Sequence, residues 1–382
     1  MNNIKLFWPR ASGVARGQHV AKWSTVICRV RDYSSNAMRA GVEVDVRRGL
    51  SFDRYPSSTS KHTRTSIDNA QAAVFLHGIL GNKKNWRTPS NLFVKKHPNF
   101  EAVAIDHRGH GFSNSSRDKG IVLRGDNTVR SCALDVLDVM AALRIRPTIL
   151  SGHSFSGKVV LSYLNHLIAG LDETGRSGGS LLPEHIWILD SIPGVYHRSV
   201  DLSQGQQSVF NIMSVIASLP TDFESKEWME QLLLSKGISL PIIQWLTANV
   251  IPMDPSIDKE ADSKHTTSSY SSQIHGASKG HFQFAFDRET VFELFEDFCR
   301  LDQWDFLYDY HDYSSSRCPT MIHFVRAGKN VGWTSEVLGR FEELQRRDPR
   351  IVLHTMPHVG HWLHAEDVQG LLGIISRGSQ LT

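Results

Sequence analysis

Ser154 lies in the stretch Pro147-Thr-Ile-Leu-Ser-Gly-His-Ser-Phe-Ser-Gly-Lys-Val-Val-Leu161, where an apolar run breaks at Gly152 and resumes after Gly157. A serine between small residues at a strand-to-helix corner is the layout of a nucleophile elbow. The sharp turn lifts the hydroxyl clear of the sheet edge and aims the N-terminus of the new helix at the reacting group. Small neighbours are required because strand and helix pack there with no room for a side chain. The stretch departs from G-x-S-x-G at the second glycine, which is Ser156, with Gly157 one place later. Such a segment standing alone would be an ordinary Gly/Ser-rich loop, so the reading depends on what accompanies it.

A serine nucleophile needs a base within proton-transfer reach. Of the 19 histidines, His358, His361 and His364 follow the last apolar strand, Ile351–His354, at intervals of three. His361, directly after Gly360, is the candidate base, and the other two are expected to be structural. The same spacing invites a metal, but neither H-x-H-x-D nor H-E-x-x-H accompanies it, so no metal or other cofactor is expected.

The third group must fix the histidine tautomer and stabilise the imidazolium. The commonest place for it, the loop after the strand ending near Val325, reads Gly328-Lys-Asn-Val and holds no carboxylate. Asn330 cannot carry the charge. Asp190, in Asp190-Ser-Ile-Pro-Gly194, follows Ser154 in the chain and ends the strand Ile186–Leu189 at the edge where open α/β sheets bind ligands. Asp190 is therefore the candidate acid, with Glu289 and Asp305 in reserve. Asp106 precedes the nucleophile, and with Arg108 is expected to hold a tight loop near the site. Negative charge on the carbonyl oxygen calls for preorganised donors. These are assigned to the N–H groups of Ile79, in the loop His77-Gly-Ile-Leu-Gly81, and of Phe155.

The elements that must carry these residues are legible as buried apolar runs: Ala72–Leu76, Ala102–Ile105, Thr148–Leu150, Ile186–Leu189, Pro319–Val325 and Ile351–His354. Between them, Thr128–Leu143, Lys158–Ala169 and Val368–Ile375 have helical spacing. Alternation in Val42–Val46 and Leu50–Tyr55 suggests an edge hairpin, and Pro56–Asp68 reads as a surface loop. From Tyr196 to Tyr313 the β/α alternation stops. Helix-like segments at Val209–Leu219, Trp228–Leu234, Ile242–Val250 and Val291–Phe298, interrupted by the polar stretch Asp254–Gly280, read as an all-helical lid. Its aromatics Trp228, Trp245, Phe282, Phe284, Phe286 and Trp304 are mostly expected to form its core.

Composition limits the partners. Of 382 residues, 40% are hydrophobic and 21% charged, ordinary proportions for a globular chain. The formal charge of +3 becomes −3 once residues 1–31 are set aside, since these hold six basic residues and no acid. That excludes a basic body built for nucleic acid. No apolar run reaches the roughly 18 residues that span a bilayer, so no integral membrane segment is expected. The acid-free start, with Trp8, Val14, Val20, Trp23 and Ile27 between its charges, reads as a transit peptide or a disordered basic tail, which points to the mitochondrial matrix with the cytoplasm as runner-up. Cys28, Cys132, Cys299 and Cys318 form no C-x-x-C pair, consistent with a reducing compartment.

With His77-Gly78, Asp106-His-Arg-Gly-His-Gly111, Gly152-His-Ser-Phe-Ser-Gly157, Asp190-Ser-Ile-Pro193 and Gly360-His-Trp-Leu-His364 in this order, the chain resembles the α/β-hydrolase superfamily. More narrowly, it is similar to the abhydrolase-domain serine esterases of mitochondria and their small bacterial relatives. The resemblance runs from about residue 42 to the C-terminus. It implies an α/β fold with a mostly parallel sheet flanked by helices, a helical lid insertion and a serine-nucleophile mechanism. Some relatives place the acid after the strand that follows the elbow helix, the place of Asp190. The expected organisation is a basic segment at 1–40, a hydrolase core at 41–195 and 314–382, and a lid at 196–313. The expected function is hydrolysis of a small-molecule carboxylic ester or thioester through an acyl-enzyme. An acyltransferase on the same triad and a non-catalytic hydrolase-fold binding protein remain open.

Overall fold

Strands buried on both faces read as unbroken apolar runs, and β2 (Gln71–Leu76) is one of them. Because side chains alternate, Val74 and Leu76 enter the hydrophobic core on one side of the sheet, while Ala73 and Phe75 enter a second core on the other. The computed structural model that reveals this describes residues 50–56, 71–114, 125–170, 181–198, 208–253, 281–313 and 318–381. The expected basic segment, the strand Val42–Val46, nearly all of the loop Pro56–Asp68 and the polar stretch Asp254–Gly280 lie outside the described residues.

The central sheet has seven strands in the order β1-β3-β2-β4-β5-β9-β10. They are β1 (Phe52–Tyr55), β2, β3 (Phe100–Ile105), β4 (Pro147–His153), β5 (His185–Leu189), β9 (Met321–Ala327) and β10 (Ile351–Met356). All pair in parallel except β1, which lies antiparallel to β3 at the edge. The chain leaves β2 in one direction to form β3, then returns to the other side of β2 for β4. The carboxyl ends of β2 and β4 therefore flank a topological switch point, where open α/β sheets place ligands.

Helices α1 (Arg87–Lys96), α2 (Val129–Leu143) and α3 (Phe155–Ala169) follow β2, β3 and β4. Thr128 caps α2, its hydroxyl accepting from Ser131 N at 3.1 Å. Pro89 sits in the first turn of α1, where its missing N–H removes no helical hydrogen bond.

Between β5 and β9 lie α4 (Val209–Ser218), α5 (Lys226–Ser235), α6 (Leu240–Thr247), α7 (Arg288–Arg300) and α8 (Trp304–Asp309). This insertion is not all-helical as expected. Asp222–Phe223 (β6), Val250–Pro252 (β7) and Phe282–Phe284 (β8) form a small antiparallel sheet in the order β6-β8-β7. Strands this short cannot display a period-2 pattern. Phe284, Phe286 and Trp304 are buried in the core, whereas Trp245 stands 5.8 Å from Trp362, beside His361.

Lys158, buried in α3, ties the insertion to the core. Its ammonium donates to the carbonyl oxygens of Gly194, Phe298 and Leu301, each at 2.7 Å, which uses all three of its donors. The chain continues through α9 (Ser335–Arg347), β10, α10 (Leu363–Glu366) and α11 (Val368–Gly378). Among the described residues no helix is long and apolar enough to cross a membrane.

Candidate active site

The loops after β2, β4, β5 and β10 meet at one edge of the sheet and bring the expected residues together. Ser154 joins β4 to α3 at φ 55° and ψ −116°. A non-glycine residue there is strained and persists only where its surroundings over-determine it. Ser154 N–H donates to Leu189 O at 2.8 Å and its carbonyl accepts from Gly157 N at 2.8 Å. Two glycines are sterically obligatory. A Cβ on Gly152 would lie 2.2 Å from Ser156 O, and one on Gly157 would lie 2.4 Å from Ser191 Cβ.

Ser156, the departure from the elbow pattern, is fully buried with its hydroxyl employed. It donates to the carbonyl oxygen of His77 and accepts from His107 Nε2 at 2.5 Å. A hydroxyl is tolerated here because it joins the ends of β2 and β3 beneath the corner.

His361 Nε2 lies 3.0 Å from Ser154 Oγ, and His361 Nδ1 lies 2.7 Å from Asp190 Oδ2. Asp190 sits just beyond β5 at φ 47°, its N–H donating to Val325 O at 2.8 Å. Its carboxylate is buried and held from several sides. Ala327 N–H (2.9 Å) and Trp333 Nε1–H (2.7 Å) donate to Oδ1, while Asn330 Nδ2 (2.7 Å) joins His361 on Oδ2. Asn330 occupies the loop that lacks a carboxylate, so that loop supplies donors to an acid carried one strand away. The sequence sets Asn330 aside because it cannot carry the charge and does not single out Trp333; neither residue type signals that it donates to a carboxylate some 140 residues away. Glu289 and Asp305 are both exposed on the insertion.

His358 is exposed, and His364 is buried against His153 and Trp86, with ring centroids 4.7 and 4.8 Å away. His153, within the elbow motif, donates from Nε2 to His361 O at 2.7 Å and so fixes the backbone of the candidate base. Among the described residues no group of three or more His, Cys, Asp or Glu is arranged to hold a metal.

The loop after β2 runs beside the serine: a Cβ on Gly78 would be 3.3 Å from Ser154 Cβ. Gly78 O accepts from His77 Nδ1 at 2.8 Å and from Gly81 N at 3.0 Å. In a trans peptide the N–H of the next residue, Ile79, faces the opposite way. Phe155 opens α3, where the first N–H groups have no helical acceptor. Behind this loop, Asp106 accepts from Lys83 N (2.7 Å) and Phe112 N (3.0 Å), and Arg108 forms a two-pronged pair with Asp135 (2.7 and 2.9 Å). Both therefore hold loops, as the sequence suggested.

Five histidines around the site are buried, and burial holds each imidazole neutral. Burial pushes His77 and His153 well below the ordinary histidine value, His107 down to about 3, and His110 and His364 down to about 4. The unfolded chain binds protons below pH ~6.5 that these groups refuse in the folded state, so stability falls as pH drops through that value. At pH 5 His107, His110 and His364 each cost about 2 kcal/mol, and His77 and His153 act in the same direction. Buried Asp106, raised to about 6, acts in the opposite sense and offsets less than one histidine, about 1.4 kcal/mol. Urea titrations at pH 7 and pH 5 are expected to show a markedly lower midpoint at pH 5. Equal midpoints would mean that these histidines are not held neutral.

Comparison with known proteins agrees with this architecture. A stretch of 138 residues is 28% identical to the sn-1-specific diacylglycerol lipase ABHD11 of Xenopus laevis, covering 36% of this chain and 37% of that protein. A stretch of 90 residues is 29% identical to the Mus musculus protein of the same name, covering 24% and 26%. The matched stretches thus span about a quarter to a little over a third of the curated relatives' length. A marine microorganism esterase shares the fold with a TM-score of 0.58 at 15% identity, over 86% of this chain and 99% of its own. Residues 73–372, from the second residue after the start of β2 into α11, match the model of the alpha/beta hydrolase family. With the parallel sheet, the elbow at its switch point and that match over most of its length, the chain belongs to the alpha/beta hydrolase family.

Proposed function

We propose that this chain is a serine hydrolase that cleaves carboxylic esters or thioesters through an acyl-enzyme on Ser154. The observation that carries the reading is the unbroken hydrogen-bonded line from Asp190 through His361 to Ser154 Oγ, at 2.7 and 3.0 Å. Ser154 Oγ attacks the acyl carbon while His361 Nε2 takes its proton, and Asp190 holds the imidazole in the tautomer that leaves Nε2 free to accept. The N–H groups of Ile79 and Phe155 receive the oxyanion. Collapse breaks the bond to the alcohol or thiol, which leaves with the proton from His361. Water, deprotonated by the same imidazole, then releases the acid and returns the serine hydroxyl.

The ABHD11 relatives' names make the ester bond of an acylglycerol the first substrate class to try. The region corresponding to 196–313 acts as a lid over the catalytic edge. In the same reading the basic segment 1–40 directs the chain to the mitochondrial matrix, to be checked by imaging a fluorescent fusion; cytosolic signal would count against it.

A fluorophosphonate probe is expected to label the full chain on Ser154, as mapped by peptide mass spectrometry. Acylglycerols and p-nitrophenyl esters should both protect against labelling. A folded protein that never labels would instead be a binding protein. Acyl transfer to an added alcohol or thiol that outpaces hydrolysis would make it an acyltransferase.

A further inference from the structure

Ile79 is followed by Leu80, which adopts the left-handed backbone at φ 62°. The Gly81 N to Gly78 O hydrogen bond of 3.0 Å closes a four-residue turn in which Leu80 holds the third position. That position, when φ is positive, is ordinarily filled by Gly or Asn, because a side chain strains it. The turn therefore needs support from outside itself, and Leu80 receives it on both sides. Its N–H donates to His110 Nε2 at 3.2 Å, and its carbonyl accepts from Asn249 Nδ2 at 3.1 Å.

Asn249 comes from the insertion, between α6 and β7, yet only 1% of its surface is exposed. Its backbone is fixed within the insertion, the N–H donating to Leu246 O (2.9 Å) and the carbonyl accepting from Ala285 N (2.7 Å). Its side-chain amide also donates to Trp245 O at 3.3 Å, and its side-chain oxygen accepts from Asn82 Nδ2 on the far side of the turn. One amide from the insertion thus grips the turn at Leu80 and again at Asn82.

We propose that Asn249 is a positioning residue that sets the oxyanion donor: by clamping the strained turn at Leu80 it aims the Ile79 N–H, so the donor is in place only while the insertion is seated. This rests on the serine-hydrolase reading above, with Ile79 as a donor. Misplacing such a group by a fraction of an ångström weakens binding of the transition state more than binding of the substrate.

The test uses the full chain, with p-nitrophenyl acetate as substrate and fluorophosphonate labelling to count working sites. Asn249→Ala is expected to lower kcat per labelled site by about 10- to 100-fold while KM changes by less than about 3-fold. The affinity for a trifluoromethyl ketone, which forms the tetrahedral oxyanion on the serine, should weaken by the same factor. Should Asn249→Ala fail to fold, Asn249→Asp keeps the size and the acceptor facing Asn82, lacks the donor to Leu80, and is judged by the same criteria. A kcat per labelled site within about 2-fold of the unaltered protein overturns the proposal, even if fewer sites label. An unaltered protein that neither labels nor turns over would instead remove the hydrolase reading, and this inference with it.

Discussion

His361→Ala is expected to lower kcat for an activated ester by about 10⁶-fold, and Ser154→Ala by about the same. In the proposed mechanism the two losses are equal because the groups act as one unit: without the imidazole 3.0 Å away, the hydroxyl of Ser154 would stay protonated and unreactive. The double variant should be no worse than either single one, since what remains comes from the oxyanion donors and substrate binding alone. The neighbouring His153 cannot substitute. It is buried, held neutral by burial, and its Nε2 already donates to His361 O. Steady-state rates with p-nitrophenyl acetate, on proteins shown by circular dichroism to be folded, would decide the matter. If His361→Ala kept more than about a hundredth of the original kcat, another residue must be the base.

The elbow was legible because its chemistry is local: a buried run, a small residue, a serine and a helix start occupy fewer than 15 consecutive positions. Asp190 was legible as the candidate acid for a topological reason, as a carboxylate at the end of a buried strand later in the chain than the serine. What holds Asp190 was not. Asn330 and Trp333 reach it only because β5 and β9 are neighbours in the sheet, although more than 100 residues separate them in the chain. Ser156 read as a defect in the motif until the buried partners of its hydroxyl came into view. The same holds for His77, His107 and His110, whose types invite catalytic readings while their burial makes them neutral struts. Helices α1 and α9 are additions to the sequence reading. Pro89 masks the start of α1, whereas α9 carries a usable signal in the Thr334 cap followed by Val337, Leu338, Phe341 and Leu344. The two- and three-residue strands of the insertion had no signal to read.

Asp190→Asn is expected to lower kcat by about 10⁴-fold while leaving the protein folded, as the loss of an orienting carboxylate does in related triads. The local hydrogen bonding explains so large an effect for one atom. Both carboxylate oxygens accept from fixed donors: Ala327 N and Trp333 Nε1 on one, Asn330 Nδ2 and His361 Nδ1 on the other. An amide must turn its NH₂ toward one of these pairs. The Ala327 donor is backbone and cannot withdraw, so the NH₂ turns toward Asn330 and His361. The imidazole then has to accept on Nδ1 and carry its proton on Nε2, facing Ser154, where it cannot act as a base. Asn330→Ala removes one donor of four and leaves the His361 contact in place, so a loss of only about 10-fold is expected. Glu289→Gln and Asp305→Asn, on exposed positions of the insertion, should stay within about 2-fold. The assignment fails if Asp190→Asn keeps most of its turnover while Glu289→Gln loses it, because the acid would then be a residue brought in by the insertion.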